Sequence, residues 1–336
     1  MDIDFVVPWV DGADPNWLAE KKQYLSMIPG ACGDNTVSRF RDWGLMRYWF
    51  RGIEQNAPWV RKIHFVTWGH LPSWLDTSHP QINIVKHEDF IPASFLPTYN
   101  SNVIDWNIFR IKDLSDNFVL FNDDTFLISK TKPEDFFNSG PCGTPVLEPF
   151  GVVEGDWFYT PATNCAVLNK HFNFHKVLRE HFMKWFNPRY GIGPLLSTFL
   201  MVPFPRCYGF RSWHLPNSFH KTTFEDIWSK EEDLLFETCL HRLREKTEPN
   251  QWLAECWQYM SNDFHPRSPK FGKVFHLGQC QDNLQCVVDY IVKHRGKCVC
   301  INDSLVRDDM FDMTREKMSD AFAAILPKRS AFELHD

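Results

Sequence analysis

Four apolar residues, Phe118-Val119-Leu120-Phe121, run straight into Asn122-Asp123-Asp124. An apolar run of this kind reads as a buried strand. Two adjacent carboxylates at its tip repel each other unless a cation or a hydrogen-bond donor lies between them. In open α/β sheets, ligands bind outside the carboxyl ends of the strands. Asp123 and Asp124 are therefore the first place to look for a metal ion carrying a substrate phosphate. A strand followed by an ordinary polar turn is the alternative, since Asn and Asp are common turn residues.

The preceding chain has the alternation that such a sheet needs. Ile3 to Val7 reads as a strand that runs into the loop Pro8-Trp9-Val10-Asp11-Gly12, with a helix from Asn16 to Met27. A first strand followed by a Gly-containing turn is where nucleotide-binding α/β proteins hold their ligand, and a plain βα loop is the alternative. Apolar residues spaced by three and four predict an amphipathic helix over Leu45 to Ile53, with Arg39, Arg47 and Arg51 around it. Arginines so placed could clamp a diphosphate, whereas Arg41 and Arg51 fit solvated surface charges better. Strands follow at Lys62 to Thr67 and Ile82 to Val85. After the polar loop Leu96 to Asn102, a helix over Val103 to Ile111 carries Asp105 in its first turn. There a carboxylate can simply stabilise the helix N-terminus. The succession strand, helix, strand, strand, helix, strand predicts an α/β fold with a mostly parallel sheet flanked by helices.

The stretch from Pro141 to Asp156 is rich in Gly and Pro and suggests a division into residues 1–140 and 141–336, with one continuous domain as the alternative. The second part reads as more helical, over Phe172 to Phe186, from Thr222, over Lys230 to Thr238, Asn250 to Met260 and Asp308 to Leu326. Between them lie a Pro-broken loop, Trp213 to His220, and a late strand, Lys297 to Ile301, ending in Asn302-Asp303.

A formal charge of −6 argues against a general nucleic-acid binder. The absence of an apolar run of about 18 residues argues against a transmembrane helix. The acidic start, Met1-Asp2-Ile3-Asp4, does not resemble a signal peptide, so the ten cysteines read as reduced thiols of a cytoplasmic protein. With 14 Trp and 30 Phe, the chain could offer aromatic residues to carbohydrate, although most Phe are expected in the core.

The order of several weak signals is more specific than any one of them. Pro8-Trp9-Val10-Asp11-Gly12 is followed by Ser38-Arg39-Phe40, Asp42, Arg47-Tyr48 and Asn56-Ala57-Pro58-Trp59. Next come Leu96-Pro97-Thr98-Tyr99-Asn100-Ser101, Asp105, Arg110 and Asn122-Asp123-Asp124. A third block runs from His214-Leu215-Pro216 through Arg244 to Trp252, and a fourth from Ile301-Asn302-Asp303 to Phe332-Glu333. This order resembles the Stealth family of sugar-1-phosphate transferases, over nearly the whole chain. The family includes bacterial capsule and cell-wall enzymes and the catalytic core of the animal N-acetylglucosamine-1-phosphotransferase.

The resemblance implies a Rossmann-like core and transfer of a sugar 1-phosphate from a UDP-sugar to an acceptor hydroxyl, with release of UMP. By similarity to the animal enzyme, the catalytic residues fall on Asp105, Asp124, His214 and Arg244; the animal enzyme has Glu in place of Asp105. Phosphoryl transfer needs positioning and charge stabilisation more than covalent chemistry. Mg²⁺ (or Mn²⁺) on Asp124, helped by Asp123 or Asp303, suits the task. His214 is the expected base, with Asp105 as runner-up. Trp9, Asp11, Gly12, Arg39, Asp42 and Arg47 are expected around the UDP-sugar. The acceptor would be a polysaccharide or a lipid-linked oligosaccharide. Peripheral association with the inner face of the membrane would suit the latter, although no strongly basic amphipathic helix stands out. A metal-dependent glycosyltransferase releasing UDP is the main rival, and a non-catalytic carbohydrate binder the second.

Overall fold

The computed structural model describes residues 1–27, 40–150, 159–278, 284–303 and 306–334. Ten strands are found among them. They are β1 (Ile3–Trp9), β2 (Ile63–Thr67), β3 (Ile82–Lys86), β4 (Asn117–Leu120) and β5 (Thr125–Leu127), then β6 (Cys142–Gly143), β7 (Asn217–His220), β8 (His265–Pro266), β9 (Gly272–Leu277) and β10 (Cys298–Asp303). The main sheet has the order β3-β2-β1-β4-β7. Its first four strands are parallel and β7 is antiparallel at the edge. A second sheet, β5-β10-β9, has β9 and β10 parallel and β5 antiparallel.

The apolar runs lie where covered strands belong. Phe5, Val7 and Val119 face one core, while Val6, Phe118 and Leu120 face another on the opposite side of the sheet. The helices Met46–Asn56 and Asp308–Ile325 close the first core. Ser101–Asn107, Lys221–Lys230 and Gln251–Met260 close the second. Residues 1–140 and 141–336 are interleaved, because β7 joins the main sheet and β10 pairs with β5.

Asn122–Asp124 is the link between β4 and β5, so it lies where the two sheets meet. The Phe121 N–H donates to Val6 O at 2.9 Å and holds the link beside the C-terminal end of β1. From the other sheet, the Ile301 N–H donates to Asp124 O at 2.8 Å.

Several local expectations need correction. Asn217 to His220 is strand, not loop, because it pairs with β4. The helix expected from Val103 begins at Ser101, where Asn100 caps it by accepting from the Asn102 N–H. Asp105 therefore lies beyond the first turn and does not serve the helix terminus. Phe172 to Phe186 divides at His181 into two short helices, Phe174–Glu180 and Phe182–Trp185. Arg51 is not a solvated charge but grips Glu333 through two hydrogen bonds of 2.7 and 2.9 Å. Arg41 likewise pairs with Asp303 at 3.3 Å and packs over Phe311. A helix at Ile192–Met201 was not anticipated.

Candidate active site

His214 sits in a rare backbone state, with φ of 41°. Residues held in such conformations cluster at functional sites, where neighbours over-determine them. Here Trp213 is anchored by its indole N–H to Thr144 O at 2.8 Å, and Leu215 is buried. The histidine ring meets the β4–β5 link: Asn122 Nδ2 donates to His214 Nε2 at 2.7 Å. Gln251 Nε2 donates to Asn122 Oδ1 at 2.9 Å and so turns the Asn122 amide toward the ring. This relay leaves Nε2 as the acceptor, and hence the basic nitrogen, of a neutral imidazole. Trp252 packs edge-on against the same ring, with centroids 5.4 Å apart.

Asp124 Oδ2 is 3.8 Å from His214 Nε2 and accepts from Asn302 Nδ2 at 3.3 Å. Asp124 Oδ1 is buried and has no hydrogen-bond partner among the described residues. A buried orphan carboxylate oxygen is costly and calls for a cation. Asp124, His214 and Cys300 bring ligand atoms within 4.8 Å of one another, a candidate metal triad. Burial first, then the Asp124 charge and a hydrogen bond from the thiol to that carboxylate, holds the Cys300 thiol well above its ordinary value. It thus stays protonated, and the oxygen and nitrogen donors suit a hard cation better than a soft one. Asp303 is committed elsewhere, to Arg41 and to the Val306 N–H at 3.0 Å.

Asp123 points to solvent. Surrounding protein mass and then the charges of Asp124 and Asp42 hold its carboxyl above the usual range. Solvent access weakens that displacement. Asp42 is also raised, by burial and by Asp11, against hydrogen bonds from the Gly44 N–H and the Trp9 indole. Asp11, Asp42, Asp123 and Asp124 thus form an acidic edge at the C-terminal ends of β1 and β4.

Other expected residues have different surroundings. Trp9 is a core residue, its ring stacked on Phe65. Gly12 is needed for packing: a Cβ there would come within 1.9 Å of Phe40 O. Arg47 lies over Trp74 and pairs with Glu333 at 3.5 Å. Arg39 lies outside the described residues.

Asp105 and Arg244 form a second group. Asp105 is buried, and burial pushes its carboxyl up to about 7 although Arg244 pulls it down. Arg244 donates to Ser101 Oγ, one helical turn before Asp105. No hydrogen bond or ion pair joins Asp105 to Asp124 or His214 among the described residues. The segment Glu248–Trp252 bridges the two groups. Glu248 accepts from Asn100 and Asn102, with Asn102 at 2.7 Å, while Gln251 and Trp252 touch the Asn122–His214 pair. Sequence reasoning missed Gln251 and Glu248 as members of the site; a Gln opening a helix carries no motif.

Comparison with known proteins now adds to the geometry. Models of Stealth conserved regions 1, 2 and 4 match residues 1–28, 39–142 and 289–336. These segments contain Asp105 and Asp124, while His214 and Arg244 lie between them. The chain is 40% identical to the capsular polysaccharide phosphotransferase WcwK of Streptococcus pneumoniae, covering 98% of each chain. It is 37% identical to the exopolysaccharide phosphotransferase cps2G of Lactiplantibacillus plantarum, over 99% of this chain and 96% of that one. Identity to the receptor polysaccharide phosphotransferase WefC of Streptococcus oralis is 33%, over 99% of each. Among solved structures, the galactosyltransferase LgtC gives a TM-score of 0.40 at 9% identity, covering 95% of each chain. The glycosyltransferase GlyE of S. pneumoniae gives 0.41 at 9% identity; the match covers 97% of this chain and 62% of GlyE.

Proposed function

This chain belongs to the Stealth family, and from that premise we propose that it transfers a hexose 1-phosphate or N-acetylhexosamine 1-phosphate from a UDP-sugar to an acceptor sugar hydroxyl. The product is a phosphodiester within a bacterial surface polysaccharide, and UMP leaves. The observation that supports the reading is a basic imidazole nitrogen, His214 Nε2, 3.8 Å from Asp124 Oδ2, with the other oxygen of that carboxylate buried and unpartnered at the sheet edge. His214 Nε2 takes the proton of the acceptor hydroxyl as its oxygen attacks the β-phosphorus. The bond from that phosphorus to the bridging oxygen breaks, and UMP carries the electron pair away. Asn122 and Gln251 hold the ring in the tautomer this requires. Mg²⁺ or Mn²⁺ on Asp124, with Asp123 beside it, would offset the diphosphate charge. Arg244 would neutralise phosphate oxygens as charge shifts toward UMP. Asp105 orients the sugar or, as the second candidate base, accepts the proton itself.

The test is incubation of the purified chain with a panel of UDP-sugars, an oligosaccharide acceptor and Mg²⁺, followed by nucleotide chromatography. UMP formation that stops in EDTA is expected. UDP in place of UMP would replace this reading with glycosyl transfer.

A further inference from the structure

The helix Ile192–Met201 is built inside out. Its solvent-facing positions are Ile192, Leu196, Phe199 and Leu200, with Ile192 87% and Phe199 63% exposed. These are spaced by four, three and one, a single helical stripe. Its inward face carries the hydroxyls of Ser197 and Thr198 along with buried Met201. Ser197 Oγ donates to Leu147 O at 2.8 Å, and Thr198 Oγ1 accepts from the Leu147 N–H at 3.2 Å. A helix packed on an aqueous protein has the reverse arrangement. The exposed stripe is extended by Phe204 and Tyr208 just beyond it. Contiguous apolar surface of this kind marks an interaction site.

Charge identifies the partner. Residues 159–211 contain seven Lys and Arg and one acid, Glu180, in a chain whose formal charge is −6. Lys170 and Arg211 are paired with Glu231 and Glu148, and Lys184 donates to Asn262 O, which leaves Lys176, Arg179, Arg189 and Arg206 to border the stripe. Arg189 is exposed just before it and Arg206 just after it. The helix Phe174–Glu180, with exposed Lys176 and Arg179, is tied to its C-terminal end by a bond between His175 Nε2 and Val202 O of 3.0 Å. An apolar stripe rimmed by cations on an otherwise acidic chain fits an anionic lipid surface, which takes the side chains into the acyl boundary and the cations to its headgroups. A second copy of this chain would bring the same positive rim against itself.

We propose that the Ile192–Met201 face seats the protein on anionic membrane, with Leu196 and Phe199 inserted. Five residues of chain separate Tyr208 from His214.

Flotation with phosphatidylglycerol or phosphatidylcholine vesicles tests the proposal, using the full chain. Partition to the anionic vesicles should be at least about tenfold stronger at roughly 0.1 M salt and should fall as salt screens the rim. The double variant Leu196→Glu, Phe199→Glu should lose at least about tenfold of that partition. Both sites are solvent-facing, so its melting temperature should match the parent. Equal flotation of parent and variant, or none with anionic vesicles, overturns the proposal. So does a parent dimer that the variant dissolves without vesicle binding, which would assign the face to a second copy. Flotation does not depend on turnover, so these outcomes leave the chemistry of the cleft to its own test.

Discussion

His214 owes its position to backbone and partners together. Asn tolerates left-handed φ well, so His214→Asn should keep the fold while removing the basic nitrogen. Turnover should drop by about 10²–10⁴, with an unchanged thermal melt. Gln251→Ala frees the Asn122 amide to rotate and should cost about 10–100-fold, as outlying hydrogen-bond partners do. Asp105 makes a different prediction. Burial raises its folded value to about 7 from an ordinary 3.8, so the folded state holds the proton more tightly. Its contribution to stability is complete below pH 3.8 and is lost as pH rises through about 7. Asp105→Asn, neutral throughout, should therefore gain on the parent between pH 5 and pH 8. The gain should be about 2–4 °C for each kcal/mol, read from melting curves at the two pH values. Asp124 was legible because two carboxylates after an apolar run are electrostatically odd. Gln251 was not, because its role arises from tertiary placement at a helix start.

Among the elements, β1 serves both ends of the main sheet. At its C-terminal end it borders the acidic edge. At its N-terminal end Asp4 is fully buried, and accepts from Arg61 Nε at 2.9 Å, His64 Nε2 at 3.0 Å and the Ser115 N–H at 2.8 Å. Burial alone would raise this carboxyl, but the hydrogen bonds from His64, Arg61 and Ser115 win and hold it below its ordinary value. The stabilisation is present above pH 3.8 and fades as pH falls through the lower folded value. Asp4→Asn should cost roughly 3 kcal/mol at pH 7, measured by urea unfolding, with the cost shrinking in acid. The parallel core strands were readable from short apolar runs, unbroken in β4 and interrupted by Asp4, His64 and Asn83 in β1, β2 and β3. β7 was hidden because Asn217 to His220 is polar and short, and gains strand geometry only by pairing with β4. The helix Ile192–Met201 was hidden by its glycines and its reversed polarity.

Across the whole molecule, the C-terminal segment locks the N-terminal half. Asp76 N–H donates to Phe332 O at 2.9 Å, Leu334 N–H to Trp74 O at 2.8 Å, and Arg51 grips buried Glu333. Glu333→Ala should lower stability by roughly 2 kcal/mol, because it leaves a half-buried guanidinium without its carboxylate. Arg51→Ala should cost a similar amount, and the double variant less than the sum, by denaturant midpoints. This closure was legible only as a resemblance of block order, since no local pattern announces a contact between residues so distant in sequence. The Asp124 position depends on the same late part of the chain: its carbonyl is held by Ile301 and its carboxylate by Asn302. Synthesis therefore delivers Asp105, Asp124, His214 and Arg244 well before the strand that seats Asp124. A chain ended by a stop codon ahead of β10 would possess every proposed catalytic group, and turnover assays are expected to find it inert because Asp124 has lost the strand that seats it.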